Sequence, residues 1–191
     1  MSILLYLHGF KSSPKSRKAI LTEKWLNCRG LGLDFLCPSL PPFANAAMSL
    51  LEEVVENIGS RPVYLIGSSM GGFFATNLIE KYGMKGVLIN PVVRPARGLE
   101  SYLGLHKNYH NDQEWCLETH HIKEYSAWTR SSITNKMNFM VLLQSGDEVL
   151  DYRDAVDYYD GCSITIHRGG DHAFSNYTDY LEDIFQFLFD G

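Results

Sequence analysis

The sequence predicts an α/β fold: a mostly parallel sheet of about six strands with helices on both faces. Three observations point there. Short apolar runs of strand length recur along the chain, at Ile3 to Leu7, Leu33 to Cys37, Val63 to Ile66, Val87 to Ile89, Phe139 to Leu143 and Ser163 to His167. Stretches with helical apolar spacing fall between and after them. The third run breaks into Gly67-Ser68-Ser69-Met70-Gly71 and passes straight into a further helical run, so a strand and a helix meet at one sharp turn.

The elements follow in order. Ile3 to Leu7 is a central strand leading to His8-Gly9-Phe10. Ser13 is placed to cap a helix with Pro14 at its first position, running to about Asn27. Leu33 to Cys37 ends at Pro38 and the Pro41-Pro42 pair. From Ala46 to Ile58, apolar Ala47, Leu50, Leu51, Val54 and Ile58 keep a helical period with Glu52, Glu53 and Glu56 outside. Val63 to Ile66 is apolar on both faces, as a strand covered on both sides must be. The helix after it, Phe73 to Tyr82, stops at Gly83. Asn90-Pro91 closes the next strand, and helices are expected at about Tyr152 to Tyr159 and Tyr177 to Leu188.

Residues 92–138 break the alternation. They hold no clean buried strand and are too long for a plain connection. They are expected to form a small, helical cap insertion over the carboxyl edge of the sheet, or else a packed side excursion. Trp115 and Trp128 belong to its packing.

The chain of 191 residues is long enough for one domain with a sizeable core. A net charge of −5 argues against nucleic acid as a partner. No run approaches a membrane span. Cys28, Cys37, Cys116 and Cys162 show no CxxC spacing and are expected to be reduced, mostly buried thiols of a cytoplasmic protein. Met1 to Leu7 lacks a basic flank and reads as a strand instead of a signal peptide. Oligomeric state is left open.

Strand, G-x-S-x-G, helix is the pattern of a nucleophile elbow. A serine on such a turn needs small residues two before and two after it, because strand and helix pass closely there. Gly67 and Gly71 meet that need for Ser69, whereas Ser68 would be flanked by Ile66 and Met70. Ser69 is therefore the expected nucleophile. A serine hydroxyl needs a base, and the base needs a carboxylate to hold its tautomer. Asp147, in the loop after the fifth strand, and His172, after the sixth, fall in the chain order Ser, Asp, His. His167 lies within its strand and is expected to be structural; Asp171 is the weaker candidate for the acid because it adjoins His172 in sequence. The oxyanion hole is expected from the backbone N–H groups of Phe10 and Met70.

Lys11, Lys15, Arg17 and Lys18 cluster beside the first loop, against the sign a helix start favours. They fit either an anionic substrate or a solvated basic face. Lys11 and Arg94 are the tentative substrate-binding residues, with Arg94 able to fork an anion or brace the cap. His106 and His110 are four apart and His120-His121 lie nearby, but no Cys or carboxylate joins them at ligand spacing, so no metal is expected. A cofactor is not expected either, since GxGxxG and a Walker lysine are absent.

Five stretches, LLYLHGFKSSPKS, IGSSMGG, NPVVRP, SGDEVLDYRDAV and GGDHAF, together resemble the small bacterial YqiA-type esterases of the α/β-hydrolase superfamily. The first and fourth stretches are particular to that family. The resemblance implies a compact α/β-hydrolase fold without the extra N-terminal strands of larger relatives, esterase activity, and a triad on Ser69, Asp147 and His172. The substrate would be a small-molecule acyl ester or thioester. The alternatives are an acyl-CoA thioesterase on the same triad, or a non-catalytic scaffold of the same fold. Residues 92–138 match least well.

Overall fold

A computed structural model describes residues 1–107 and 114–190. In chain order its strands and α-helices are β1 (Ile3–Leu7), α1 (Arg17–Arg29), β2 (Asp34–Leu36), α2 (Ala44–Ile58), β3 (Val63–Ser68), α3 (Met70–Tyr82), β4 (Lys85–Ile89), α4 (Ala96–Leu99), β5 (Gly104–Lys107), β6 (Glu114–Leu117), α5 (Thr119–Trp128), β7 (Phe139–Gln144), α6 (Tyr152–Tyr158), β8 (Ser163–His167) and α7 (Leu181–Phe189). The main sheet has six parallel strands in the order β2-β1-β3-β4-β7-β8.

Strand alternation divides the core into two layers. Leu5, Leu7, Leu65, Leu88 and Val141 face the side carrying α2 and α3. Leu4, Tyr6, Ile66, Val87 and Ile89 face the side carrying α1 and α7. Both sets are buried, which is why these strands read as unbroken apolar runs. Each fully buried aliphatic side chain contributes roughly 1.5–3 kcal/mol. The edge strands β2 and β8 keep exposed positions.

Register aligns the strand ends. Leu7 lies beside Gly67, Ser68 beside Ile89, Ile89 beside Leu142, and Gln144 beside His167. The loops that follow therefore share one rim at the carboxyl ends of the strands, the usual ligand edge of an open α/β sheet.

The structure corrects several expectations. Helix α1 starts at Arg17, because Ser13 to Ser16 form a turn of their own. Ser16 N–H donates to the Ser13 carbonyl (2.9 Å) and Lys15 N–H to Ser13 Oγ (3.1 Å). A serine hydroxyl offers the backbone this alternative to a helix. Residues 92–138 are not simply helical: β5 and β6 form an antiparallel hairpin, with Leu105 opposite Cys116 and His106 opposite Trp115, between α4 and α5. Four-residue strands are too short to declare a period, and cross-strand pairs define them. The cysteines are not mostly buried. All four are free, with Cys28 and Cys116 exposed and Cys37 and Cys162 half-buried.

Aromatic contacts and a few hydrogen bonds hold this excursion down. Trp115 meets Phe10 and Phe43 edge-on, at ring separations of 5.6 and 6.0 Å. Buried Tyr125 donates to the Pro42 carbonyl (2.9 Å), and Trp128 Nε1 donates to Asn45 Oδ1 (2.8 Å). Among the described residues, no helix is long and apolar enough to cross a membrane.

Candidate active site

The elbow is built from crowding. A Cβ on Gly71 would overlap the Leu7 carbonyl oxygen, and one on Gly67 would sit 2.5 Å from the Gly71 carbonyl oxygen. Real Cβ atoms do not approach so closely, so β1, β3 and α3 touch here only because both residues are glycine. The close passage forces Ser69 to φ 55°, the left-handed region that a residue with a side chain rarely adopts. Four non-glycine residues share that region among the described residues: Lys11, Ser69, Asn90 and Phe174. All four lie in loops along the carboxyl rim, where strain concentrates at sites that do chemistry.

The three side chains expected from the sequence meet. Ser69 Oγ lies 3.0 Å from His172 Nε2, and His172 Nδ1 lies 2.8 Å from Asp147 Oδ2. With Nδ1–H donated to the carboxylate, Nε2 is left to accept from the serine hydroxyl. The Asp147 side chain is 2% exposed and that of His172 22% exposed, so the carboxylate is sheltered while the ring reaches the cleft. Burial pushes the Asp147 pKa up. Hydrogen bonds from His172 and from the Leu150 and Val149 amides outweigh it and hold the carboxyl below its ordinary range. Asp147 is thus ionised at neutral pH. Asp171 points elsewhere: its carboxylate accepts from the Ser175 amide and hydroxyl. His167 bonds Tyr180 Oη (3.0 Å), as expected of a structural residue. His8 is also held, with Nδ1 at the Gly9 carbonyl (2.9 Å) and Nε2 accepting from Leu40 N–H (3.0 Å).

Phe10 lines both clefts that reach Ser69, and Met70 follows Ser69 in the chain. The Phe10 amide makes no hydrogen bond among the described residues. Met70 is the first residue of α3, where an N–H has no partner within the helix. Such N–H groups at a helix start favour negative charge.

The sequence reading missed a buried clamp behind the ring. Asn90 and Gln144, 3% and 1% exposed, close β4 and β7. Asn90 Nδ2 donates to the carbonyls of Asp171 and His172 (3.1 and 3.3 Å), while its Oδ1 accepts from Gln144 N–H (2.9 Å). Gln144 Oε1 accepts from Asp171 N–H (2.7 Å), and Glu148 accepts from His172 N–H (3.0 Å). A polar residue ending an otherwise apolar buried strand was the available signal for Gln144.

Of the tentative binding residues, Arg94 lines a cleft of about 440 Å³ that opens at Ser69 between Val92–Tyr102 and Val149–Ala155. Lys11 lines neither cleft that reaches Ser69; its amine lies 3.4 Å from His106 Nδ1 on the hairpin. The histidine reading also needs correction. A carboxylate does join His120 and His121, because one helical turn brings in Glu124, and the potential ligand atoms lie within 4.8 Å of one another. His121 Nδ1 is engaged by the Glu118 amide, and its ring stacks on Phe43 at 4.0 Å. His110 lies outside the described residues.

A parallel sheet whose carboxyl rim gathers a serine elbow, a histidine and an aspartate defines the α/β-hydrolase class. The fold is similar to that of Est1E from Butyrivibrio proteoclasticus, solved with ferulic acid (TM-score 0.75, 15% identity, 98% of this chain and 88% of that one). It is also similar to carboxylesterase CesB from Bacillus subtilis (TM-score 0.61, 14% identity, 100% and 84% of the two chains). Within that class the chain belongs to the Uncharacterised protein family UPF0227, whose pattern it matches over residues 3–189. This is the YqiA-like family to which the sequence motifs pointed. Relatives include UPF0227 proteins of Serratia proteamaculans (25% identical, 95% of this chain and 96% of the relative) and Vibrio cholerae (24%, 83% and 85%).

Proposed function

We propose that the protein is a serine esterase that hydrolyses carboxylic esters through an acyl-enzyme on Ser69. Ser69 Oγ attacks the ester carbonyl while His172 Nε2 takes its proton. Asp147 fixes the ring and stabilises the imidazolium. The Phe10 and Met70 amides receive the oxyanion, each worth on the order of 3 kcal/mol of barrier. His172 then gives the proton to the leaving alcohol. A water, activated by the same ring, attacks the acyl carbon and frees Ser69. Nothing in this cycle calls for a cofactor. The wall formed by Val92–Tyr102 shapes the cleft for the acyl chain, and the free thiols of all four cysteines support a cytoplasmic setting.

The observation that carries this reading is the contact chain Ser69–His172–Asp147, at 3.0 and 2.8 Å, on a strained elbow. The test is p-nitrophenyl butyrate hydrolysis followed from the first turnover. The wild type is expected to release a burst of nitrophenolate and then turn over steadily. In Ser69→Ala the burst disappears and the rate falls by at least about 10⁴-fold. Equal rates in the two proteins would remove Ser69 as nucleophile.

A further inference from the structure

Two clefts meet at Ser69. The first is the 440 Å³ cleft walled by Val92, Val93, Leu99, Tyr102 and Leu150. The second, about 230 Å³, lies between the Gly9–Ser12 loop, the start of α1 and the His172 loop. His172 lines the second cleft and not the first. That decides which half of an ester each one takes. When the tetrahedral intermediate collapses, the bond from carbon to the leaving oxygen breaks and its electron pair stays on that oxygen. The oxygen takes the proton that His172 Nε2 received from Ser69, so the alcohol half must leave on the His172 side. The acyl half then occupies the first cleft.

The second cleft holds polar groups among an otherwise apolar lining. The hydroxyl of Ser16, in its lining, is buried and unpaired. A buried unpaired hydroxyl is costly, and a bound polar group would offset that cost. Ser16 is the N-cap residue of α1 but makes no side-chain capping bond. The amides of the first turn lack helical partners. That turn carries no acidic residue and instead holds Arg17 and Lys18, both in the lining. Positive side chains at a helix start oppose the dipole, and an anion bound between them reverses the sign of that interaction.

Resting on the esterase reading, we propose that the second cleft is a leaving-group subsite for an alcohol bearing an anionic group, phosphate or carboxylate. The first turn of α1, Ser16, Arg17 and Lys18 hold the anion. The basic cluster noted in the sequence thereby acquires a role through Arg17 and Lys18, not through Lys11.

The test compares three esters of one acid: 1-butyrylglycerol, 1-butyrylglycerol 3-phosphate and the butyryl ester of glycolate. Butyrate release gives kcat/KM for each, with p-nitrophenyl butyrate as the control for the chemistry. The wild type is expected to favour one or both charged esters over the neutral one by about 10-fold or more, and the better of the two identifies the anion. Arg17→Ala, at an exposed position, should cut that ratio to about 3-fold or less. Equal turnover of neutral and charged esters by a wild type that cleaves p-nitrophenyl butyrate would overturn the subsite and leave the esterase reading standing. Turnover of p-nitrophenyl butyrate that does not depend on Ser69 would overturn the esterase reading, and the subsite with it.

Discussion

The rim that carries Ser69 and the 92–138 excursion beside it are held by different forces. On the rim, backbone meets backbone with no room to spare, at Gly67 and Gly71, and the amides of Asn90 and Gln144 fix a loop. In the excursion, Gly98 and Gly104 have open space around them, and the anchors are aromatic edges and single hydrogen bonds. In the proposed reaction a proton passes between Ser69 and His172 while Asp147 holds the ring, which requires distances held to tenths of an ångström, and those groups sit on over-determined backbone. A cleft wall only has to be the right size and polarity. It can be assembled from short local pieces.

A pair of glycine substitutions breaks the comparison most sharply. Gly71→Ala drives a methyl into the Leu7 carbonyl and is expected to cost about 4 kcal/mol or more, or to prevent folding. Gly98→Ala, within α4 and with nothing within 4 Å of the new atom, should be neutral or stabilise by up to about 1 kcal/mol. Urea titration of the soluble proteins, with soluble yield as a second readout, checks both. Similar losses at the two positions would mean that the excursion is as constrained as the rim.

The clamp sharpens it next. Asn90→Ala frees the carbonyls of the His172 loop and is expected to lower kcat for p-nitrophenyl butyrate by about 10–100-fold with little change in KM. Arg94→Ala, in the cleft wall, should act on KM and leave kcat within about 3-fold. A kcat unmoved by loss of Asn90 would reduce the clamp to a packing feature.

The smallest effect is a pH dependence. Burial lowers the Lys18 pKa to about 8, against the pull of Asp171 and Asp147 and with the repulsion of Arg17. Below that pH Lys18 carries its charge, and above it the charge is lost. The advantage of the charged esters in kcat/KM should therefore fade by a few-fold as pH rises through about 8, while the neutral ester keeps its rate. A ratio flat from pH 7 to 9.5 would remove Lys18 from the anion's partners.

The residues divide by how local their signals are. Ser69 was legible because a turn that tight admits only small residues two positions away, and Gly67 and Gly71 stand at that spacing. Asp147 was legible because the buried strand before it announces itself as an apolar run, and His172 because the short β-branched run before it reads as an edge strand; the loop after each must reach the same rim. The sheet and its helices on both faces followed from the same runs. The hairpin of β5 and β6 was not legible: its strands are four residues long and half-exposed, and their partner is each other. Nor was the start of α1, where a serine turn and a helix compete for the same amides.

Tertiary structure alone decided the rest. Which residues share a cleft depends on how loops far apart in sequence fold back over the rim. Tyr6, Ser16 and His172 come from three separate stretches yet line one cavity, and Lys11, beside Phe10 in sequence, turns to His106 instead. Periodicity and turn chemistry fix what a residue does to its own neighbourhood. They carry no information about which distant side chain will stand 3 Å away.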